Sequence, residues 1–159
     1  MLRPAKIQKA QSDRGKVGSG VPSARVLIVE DHEQFRRFIC ATLEKNPELQ
    51  VVGTVSDGLA AVQKAEELQP DLILLDIGLP NLSGIDAARR IRKLSPQSKI
   101  IFLTQESSRD LVLEALNLGA KGYVVKANAG TELLAAVETV RRGREFVSKG
   151  LSDRTSTDV

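Results

Sequence analysis

The sequence predicts an α/β protein in which five parallel strands form one doubly wound sheet. Three observations support this fold class. Strand-like and helix-like segments alternate five times between residues 24 and 147, their connections are short, and the most apolar strand shows no alternation of polar and apolar residues. Helical crossovers join parallel strands and cover both faces of the sheet, so central strands are apolar throughout.

The strands are predicted from short apolar runs that end at turn residues or polar groups. In chain order they cover about residues 25–30, 50–55, 71–76, 99–104 and 122–126. The third is the clearest, because four apolar residues precede a turn rich in Gly, Pro and Asn. It places the carboxylate of Asp76 at the strand's C-terminal end, the edge at which open α/β sheets bind ligands. The alternative is that Asp76 only begins the turn.

The helices are predicted from apolar residues at helical spacing and from start and stop signals. They cover about residues 33–45, 58–69, 83–94, 107–117 and 130–142. Pro47 and Pro70 end the first two, since the residue before a proline avoids the helical conformation. Ser83 starts the third, with a carboxylate three residues later, and Gly119 and Gly143 close the last two.

Polar side chains also follow three other strands: Glu30 and Asp31 the first, Thr104 the fourth and Lys126 the fifth. If the strands are parallel, these groups meet Asp76 at one edge of the sheet. Two carboxylates about 4 Å apart repel by roughly 4 kcal/mol at an effective dielectric near 20, so three carboxylates need more than one lysine. Oxygen ligands with room for water suit Mg²⁺, which we expect here.

Composition places the chain among soluble globular proteins. It has 159 residues, of which 42% are apolar and 27% charged, enough for one domain with a core. There is neither an apolar run of membrane-spanning length nor a signal-peptide apolar region, so we expect a cytoplasmic protein without membrane contact. The single cysteine, Cys40, lies in a helical pattern and is expected to serve packing.

The net charge of +3 is concentrated in a predicted disordered N-terminal tail, residues 1–23. The globular domain is expected at 24–147 and a flexible C-terminal tail at 148–159. A solvated extension is favoured over a contact with nucleic acid or membrane, because the N-terminal charges lack aromatic neighbours and periodicity. The basic residues of this tail are Arg3, Lys6, Lys9, Arg14 and Lys16.

Four segments carry a family resemblance. They read Val-Leu-Ile-Val-Glu-Asp-His-Glu-Gln-Phe-Arg-Arg from residue 26, Pro-Asp-Leu-Ile-Leu-Leu-Asp-Ile-Gly-Leu-Pro-Asn-Leu-Ser-Gly from 70, Ile-Ile-Phe-Leu-Thr from 100 and Gly-Ala-Lys-Gly-Tyr-Val-Val-Lys from 119. Together they resemble the receiver domain of bacterial two-component response regulators. The Glu-Asp-His opening and the Arg-Arg-Gly-Arg-Glu-Phe-Val-Ser ending resemble the NarL/FixJ (LuxR-type) subgroup. The resemblance implies the flavodoxin-like (CheY-like) fold with strand order 2-1-3-4-5.

The resemblance also implies a role for each polar strand end. Asp76 would accept a phosphoryl group from a sensor histidine kinase or a phosphotransfer protein. Mg²⁺ would be held by Glu30, Asp31, Asp76 and the backbone carbonyl of Gly78.

The remaining implied roles concern the switch that responds to phosphorylation. Lys126 would pair with Asp76 at rest and with the phosphoryl group afterwards. Thr104 would reach toward that group, and Tyr123 would turn inward as Thr104 moves. The fourth helix, fifth strand and fifth helix would carry the change to a partner or to an output domain. Taken alone, Thr104 and Tyr123 could equally be strand packing residues.

Several residues depart from the commoner family pattern. Glu30 stands where Asp is usual, and Gln105 follows Thr104 where a small residue is usual, so Gln105 could gate access to Asp76. Glu106 could add a side chain near the site. Ala127 replaces a proline, so the preceding peptide is either trans or strained. His32 is expected to be a surface residue at the start of the first helix.

Too few residues follow the fifth helix for the DNA-binding helix-turn-helix of NarL/FixJ relatives, so DNA binding would need an output domain not present here. A stand-alone receiver and a chain cut at its linker both remain open. A homodimer could use the first and fifth helices, or the fourth helix, fifth strand and fifth helix.

The sequence is compatible with three functional classes. A phosphoacceptor receiver, whose only chemistry is self-phosphorylation and autodephosphorylation, explains the acids, Thr104 and Lys126 together. A phosphatase of the haloacid dehalogenase type would need a second acid two residues after Asp76, where this chain has Gly78. A receiver-like interaction module that works without phosphorylation is the remaining alternative, favoured by Gln105 and by the absence of an output domain.

Overall fold

The computed structural model describes residues 23–105 and 108–149. The predicted N-terminal tail up to residue 22, Glu106 and residues 150–159 lie outside the described residues. The elements are β1 (Ala24–Val29), α1 (Glu33–Leu43), β2 (Leu49–Val55), α2 (Gly58–Leu68), β3 (Leu72–Asp76), α3 (Gly84–Leu94), β4 (Lys99–Thr104), α4 (Arg109–Asn117), β5 (Gly122–Val125), a 3₁₀ turn (Lys126–Asn128), α5 (Ala129–Arg141) and β6 (Phe146–Val147). The predicted doubly wound α/β class is confirmed.

All strands of the sheet are parallel, and their order is β2-β1-β3-β4-β5-β6. The order 2-1-3-4-5 agrees with the expectation, but the prediction of five strands was wrong by one. The sixth strand pairs Phe146 with Gly122 and Val147 with Tyr123. Two residues are too few to show a period in the sequence, and the pairing comes from the open edge of β5, which offers unpaired backbone groups.

The segment after β6 is also ordered further than predicted. Ser148, assigned above to the flexible tail, is fully buried, and its hydroxyl oxygen accepts the backbone N–H of Val125 at 2.9 Å. That hydroxyl donates to Glu132 on α5, and the backbone N–H of Lys149 donates to the same carboxylate at 2.9 Å. The folded part of the chain therefore continues through Lys149.

Two apolar layers cover the sheet. Leu27, Ile73 and neighbouring alternate strand residues face α2, α3 and α4, while Ile28, Leu74 and their neighbours face α1 and α5. Every residue of β3 is buried, which explains why its sequence shows no alternation. Cys40 packs against the second layer as expected, and burial raises the pKa of its thiol.

Side-chain caps start three of the helices. Asp57, Ser83 and Ser108 each accept a backbone N–H from the residue three positions later. The predicted start of α3 at Ser83 is thereby confirmed. Gly119 and Gly143 follow α4 and α5 with φ of +92° and +86°, conformations that favour glycine.

Two glycines allow the loop between β3 and α3 to pack closely. A Cβ on Gly84 would lie 2.2 Å from the backbone oxygen of Asp76, and one on Gly58 would lie 1.9 Å from the backbone oxygen of Leu82. Both distances are far below van der Waals contact, so any side chain would push the loop away. The loop after Asp76 is thus held against α3 and α2.

Every peptide bond in the described part of the chain is trans, including the one before Ala127. Among the same residues, no helix is long and apolar enough to cross a membrane.

Candidate functional site

Asp76 ends β3 at the C-terminal edge of the sheet. Its side chain is buried, with 4% of the residue exposed. The oxygen Oδ1 accepts the backbone N–H of Gly78 at 3.1 Å, and Oδ2 lies 3.2 Å from the Nζ of Lys126. The carboxylate is therefore fixed on one side by the loop that follows it and on the other by a lysine from beyond β5.

Lys126 joins two carboxylates. Its Nζ lies 2.9 Å and 3.1 Å from the two carboxylate oxygens of Glu30, in addition to its contact with Asp76. Glu30 follows β1 and is fully buried, while 10% of the Lys126 side chain is exposed. The ammonium also lies 5.1 Å from the centroid of the Phe35 ring, a cation–π distance.

Electrostatics make the ionised form of Asp76 costly. Burial raises the pKa of this carboxyl group above its ordinary value, and the negative charge of Glu30 raises that pKa further. Lys126 and the N–H of Gly78 act in the opposite direction but do not cancel the rise. A second cation beside Asp76 would lower the free energy of its charged form.

Asp31 supplies an oxygen suited to such a cation. Its Oδ1 atom is buried and accepts no hydrogen bond within the described residues. Glu30, Asp31, His32 and Asp76 can each present one ligand atom such that all four atoms lie within 4.8 Å of one another. A buried oxygen that accepts no hydrogen bond is costly unless an ion or water satisfies it, so this cluster could hold a metal ion.

His32 precedes α1 as its N-cap residue, and its side chain is 63% exposed. The interpretation as a surface residue at the start of the first helix agrees with this exposure. The sequence did not predict the direction of the ring, whose Nδ1 atom lies 3.2 Å from Glu30 and 3.5 Å from Asp31. In the sequence, only the position of His32 directly after Glu30 and Asp31 could have indicated this contact.

The loop between β1 and α1 has an anchor that the sequence did not reveal. The guanidinium group of Arg36 reaches back past the start of α1 and donates to the backbone oxygen of Glu30 at 2.8 Å. The backbone N–H of Glu30 donates to the oxygen of Val55 on β2 at 3.0 Å. Glu30 is thus held by its backbone on both sides, while its side chain is held by Lys126.

Thr104 and Tyr123 are buried at the predicted strand positions. Thr104 is 2% exposed at the C-terminal end of β4, where it lies in register with Val125. Tyr123 is fully buried and packs in the layer that also contains α2, α3 and α4. The tyrosine thus occupies an inward position in this structure.

Gln105 lies outside the carboxylate cluster but next to its entrance. The residue is exposed and, with His32, Phe35, Lys126 and Ala127, lines an open groove of about 400 Å³. Gly78 is exposed as well and adds only backbone to the site. The described structure thus brings Glu30, Asp31, Asp76 and Lys126 together, and Gln105 lies beside them at the entrance groove.

Comparison with known proteins identifies the family of this chain. Residues 26–138 match the response regulator receiver domain, and the chain belongs to that family. It is 32% identical to the transcriptional regulatory protein MctR of Rhizobium johnstonii over 132 residues. The alignment covers 83% of this chain and 62% of MctR, so the chain spans about three fifths of that relative.

Solved structures place the chain near the LuxR-type regulators. A LuxR-family two-component response regulator from Aurantimonas sp. superposes with a TM-score of 0.82 at 30% identity, covering 86% of this chain and 97% of the other. A structure of two RcsB dimers bound to two parallel DNAs gives a TM-score of 0.78 at 26% identity, covering 84% and 68%. The resemblance to the NarL/FixJ (LuxR-type) subgroup is confirmed.

Proposed function

We propose that this chain is the phosphoacceptor receiver of a two-component phosphorelay and that Asp76 accepts the phosphoryl group. The observation that carries the proposal is the buried Asp76 carboxylate at the sheet edge, which shares one ammonium group with Glu30. A sensor histidine kinase or a phosphotransfer protein would be the donor. Beyond this transfer and the hydrolysis of the resulting aspartyl phosphate, the chain would have no enzymatic activity.

The transfer itself needs one nucleophilic oxygen. A carboxylate oxygen of Asp76 forms a bond to phosphorus while the phosphorus–nitrogen bond of a phosphohistidine breaks. The electron pair of that bond stays on the imidazole nitrogen. With a small acyl phosphate as donor, the corresponding phosphorus–oxygen bond breaks and the carboxylate leaves.

The carboxylate cluster fits a divalent cation, because Asp31 presents a buried oxygen that accepts no hydrogen bond within the described residues. Glu30, Asp31, Asp76 and the backbone oxygen of Gly78 would hold Mg²⁺. When bound, Mg²⁺ supplies positive charge to the phosphoryl oxygens during transfer. The protein residues themselves orient the nucleophile: the N–H of Gly78 fixes one oxygen of Asp76, and burial excludes water from β3.

Lys126 would couple phosphorylation of Asp76 to the conformational change. At rest its ammonium group is shared by Glu30 and Asp76, and a phosphoryl group on Asp76 offers it a larger negative charge. Thr104 would turn toward another phosphoryl oxygen, and Tyr123 would keep or take its inward position. Movement of α4, β5 and α5 would then reach a partner or an output domain.

The partners follow from this role. RcsB, whose structure contains dimers on DNA, suggests a homodimer for this chain as well, and DNA contact through an output domain. A cytoplasmic location is expected for a protein that receives its phosphoryl group from a kinase in that compartment.

The alternative of a phosphorylation-independent interaction module is supported by Gln105, which lines the entrance groove.

Intact mass spectrometry tests the proposal directly. The 159-residue chain is incubated with acetyl phosphate or phosphoramidate, with Mg²⁺ or with a chelator. We expect a gain of one phosphoryl group that requires Mg²⁺ and is lost in Asp76→Asn. Asp71→Asn is the matched control, because Asp71 directly precedes the same strand, at the end opposite Asp76, and is exposed.

Two outcomes would count against the proposal. A Mg²⁺-dependent label that persists in Asp76→Asn would place the acceptor elsewhere. A folded protein that binds Mg²⁺ but takes no label from either donor would favour the interaction module.

A further inference from the structure

We propose that His32 is a direct nitrogen ligand of the metal cluster, so that the site binds nitrogen-preferring divalent ions such as Co²⁺ more tightly than its carboxylates alone would allow. The inference rests on the metal site in the proposed function and adds a ligand to it. Its experimental test does not depend on phosphorylation of Asp76.

The distances suit a shared ion. Ligand atoms about 2.1 Å from one metal ion lie roughly 3 Å apart when adjacent and about 4.2 Å apart when opposite. Nδ1 of His32 lies 3.5 Å from Oδ1 of Asp31, and one atom from each of Glu30, Asp31, His32 and Asp76 falls within a 4.8 Å span. A small contraction would bring all of them to ligand distance.

The ring of His32 has no other structural task within the described residues. Although His32 is the N-cap residue of α1, its side chain accepts no hydrogen bond from the helix. Its Nδ1 atom lies near the carboxylates of Glu30 and Asp31. The side chain is 63% exposed, so packing does not force it toward the acids.

The ion pair between Lys126 and Glu30 leaves the metal site in need of a further ligand, which the His32 nitrogen can supply. The ammonium of Lys126 lies within 3.1 Å of both oxygens of Glu30, which reduces the ability of that carboxylate to ligate an ion. Glu30 is therefore the weakest of the three carboxylate ligands proposed above. A nitrogen ligand from His32, whose Nδ1 lies 3.2 Å from Glu30, strengthens the side of the coordination sphere that Glu30 holds weakly.

The hydrogen of the imidazole can be accommodated without a change in charge. A proton on Nδ1 allows the contact of 3.2 Å with Glu30, whereas a metal bound at Nδ1 requires the proton to lie on Nε2. The exposure of the ring lets Nε2 donate to water in that form. The two tautomers of a neutral ring therefore serve the two states.

The ligand types at the site determine for which ions the binding affinity should depend on His32. Imidazole nitrogen strengthens binding of Co²⁺, Ni²⁺ and Zn²⁺, whereas Mg²⁺ prefers carboxylate oxygen and water. Replacement of His32 should therefore weaken Co²⁺ binding far more than Mg²⁺ binding. His32 is the only histidine of the chain, so a signal from a metal-bound imidazole has one source.

We would titrate the full, untagged chain with Co²⁺ and with Mg²⁺ by calorimetry, as wild type, as His32→Ala and as the control Gln34→Ala on the same helix. The Co²⁺ dissociation constant should rise by about tenfold or more in His32→Ala, an effect of the size seen when metal-site residues are lost, and the Mg²⁺ constant by less than about twofold. Pulsed EPR of bound Cu²⁺ should show imidazole nitrogen coupling in the wild type alone.

Each other result would overturn the assignment. Equal weakening for Co²⁺ and Mg²⁺ would mean that His32 only tunes the loop, and no weakening with no nitrogen coupling would mean that the ring stays outside the coordination sphere. Labelling of Asp76 in Mg²⁺ is measured separately on the wild type, so a failed His32 assignment leaves the phosphoacceptor proposal standing, and the reverse also holds.

Discussion

At the scale of single residues, the site is an electrostatic compromise. One ammonium group, that of Lys126, serves two buried carboxylates, Asp76 and Glu30. Buried ion pairs add little net stability, because desolvation offsets most of their attraction. We interpret the arrangement as the resting state of the proposed phosphoacceptor, in which the ammonium group of Lys126 is placed to pair with a phosphoryl group on Asp76.

The raised pKa of Asp76 leads to a stability prediction. A carboxyl group whose pKa is higher in the folded than in the unfolded state stabilises the fold at low pH, and that contribution is lost as pH rises through the folded pKa. At pH 7 without metal, Asp76→Asn should therefore be more stable than the wild type, by about 1 kcal/mol. Urea denaturation at pH 7 and pH 4 measures this difference, which should shrink at pH 4.

Metal provides the control for this prediction. Saturating Mg²⁺ should stabilise the wild type and narrow its gap to Asp76→Asn, since the ion neutralises the charge that Asn lacks. A variant that is less stable than the wild type at pH 7 would contradict the assigned cause of the pKa shift.

Lys126 competes with metal for the same carboxylates. Lys126→Met keeps much of the side-chain volume but removes the ammonium group, which lies 2.9 Å from Glu30 and 3.2 Å from Asp76. We expect this variant to lose about 3 kcal/mol of stability without metal, as buried pairs do when one partner is removed. It should bind Mg²⁺ more tightly than the wild type and show no change of shape with an acyl phosphate.

The measurements are chemical denaturation, Mg²⁺ titration and amide NMR spectra with and without the phosphodonor. Lys93→Met, on the exposed side of α3, is the matched control for loss of a lysine. A wild-type spectral response in Lys126→Met would remove Lys126 from the switch.

At the scale of elements, the loop between β3 and α3 sets the position of Asp76. The backbone N–H of Gly84 donates to the oxygen of Ile77 at 2.8 Å, and its Cα faces the oxygen of Asp76. The first turn of α3 is therefore packed directly against the end of the strand that carries Asp76.

This contact predicts the effect of one methyl group. In Gly84→Ala the new Cβ would lie 2.2 Å from the oxygen of Asp76, so the backbone must shift, and overpacking of this kind costs about 1–3 kcal/mol. Thermal denaturation should show the loss, and labelling by acetyl phosphate should become slower because Asp76 moves.

Gly78→Ala is the control for Gly84→Ala. It adds the same methyl group to the same loop, but nothing lies within 4 Å of the new Cβ. Its stability should change by less than about 0.5 kcal/mol. Equal losses in both variants would show that the close approach at Gly84 is not the cause.

At the scale of the whole molecule, the described residues expose large apolar side chains on α1, α2, α3 and α4. Phe38 on α1 is 38% exposed, and Gly130 on α5 lies beside its ring. β6 occupies the outer edge of β5, which leaves less of that strand open on the side of α4 and α5. A dimer through α1 and α5 is therefore the one we expect.

A substitution at each face tests this expectation. With acetyl phosphate and Mg²⁺ the wild type should form a dimer in analytical ultracentrifugation, and Phe38→Ser should weaken it by about tenfold or more, since loss of a central apolar contact costs more than about 1 kcal/mol. Leu113→Ser, which removes a side chain 40% exposed on α4, should have little effect. The opposite pattern would place the dimer at α4, β5 and α5.

Sequence patterns alone determined the fold class and the polar strand ends, whereas the strand order was supplied by the family resemblance. Burial on both faces makes a strand apolar throughout, and helices show their period and their caps, so these features are written in neighbouring residues. That is why Asp76 and the start of α3 at Ser83 could be placed before any contact was known.

Only the tertiary structure decided which of those groups touch. Lys126 and Glu30 are 96 residues apart, and the sharing of one ammonium by two acids depends on side-chain directions that no local pattern records. The same is true of the ring of His32 and of β6 with Ser148, which the open edge of β5 and the carboxylate of Glu132 hold in place. Local periodicity encodes which face is buried, whereas contacts between distant segments arise from packing and charge once the sheet has formed.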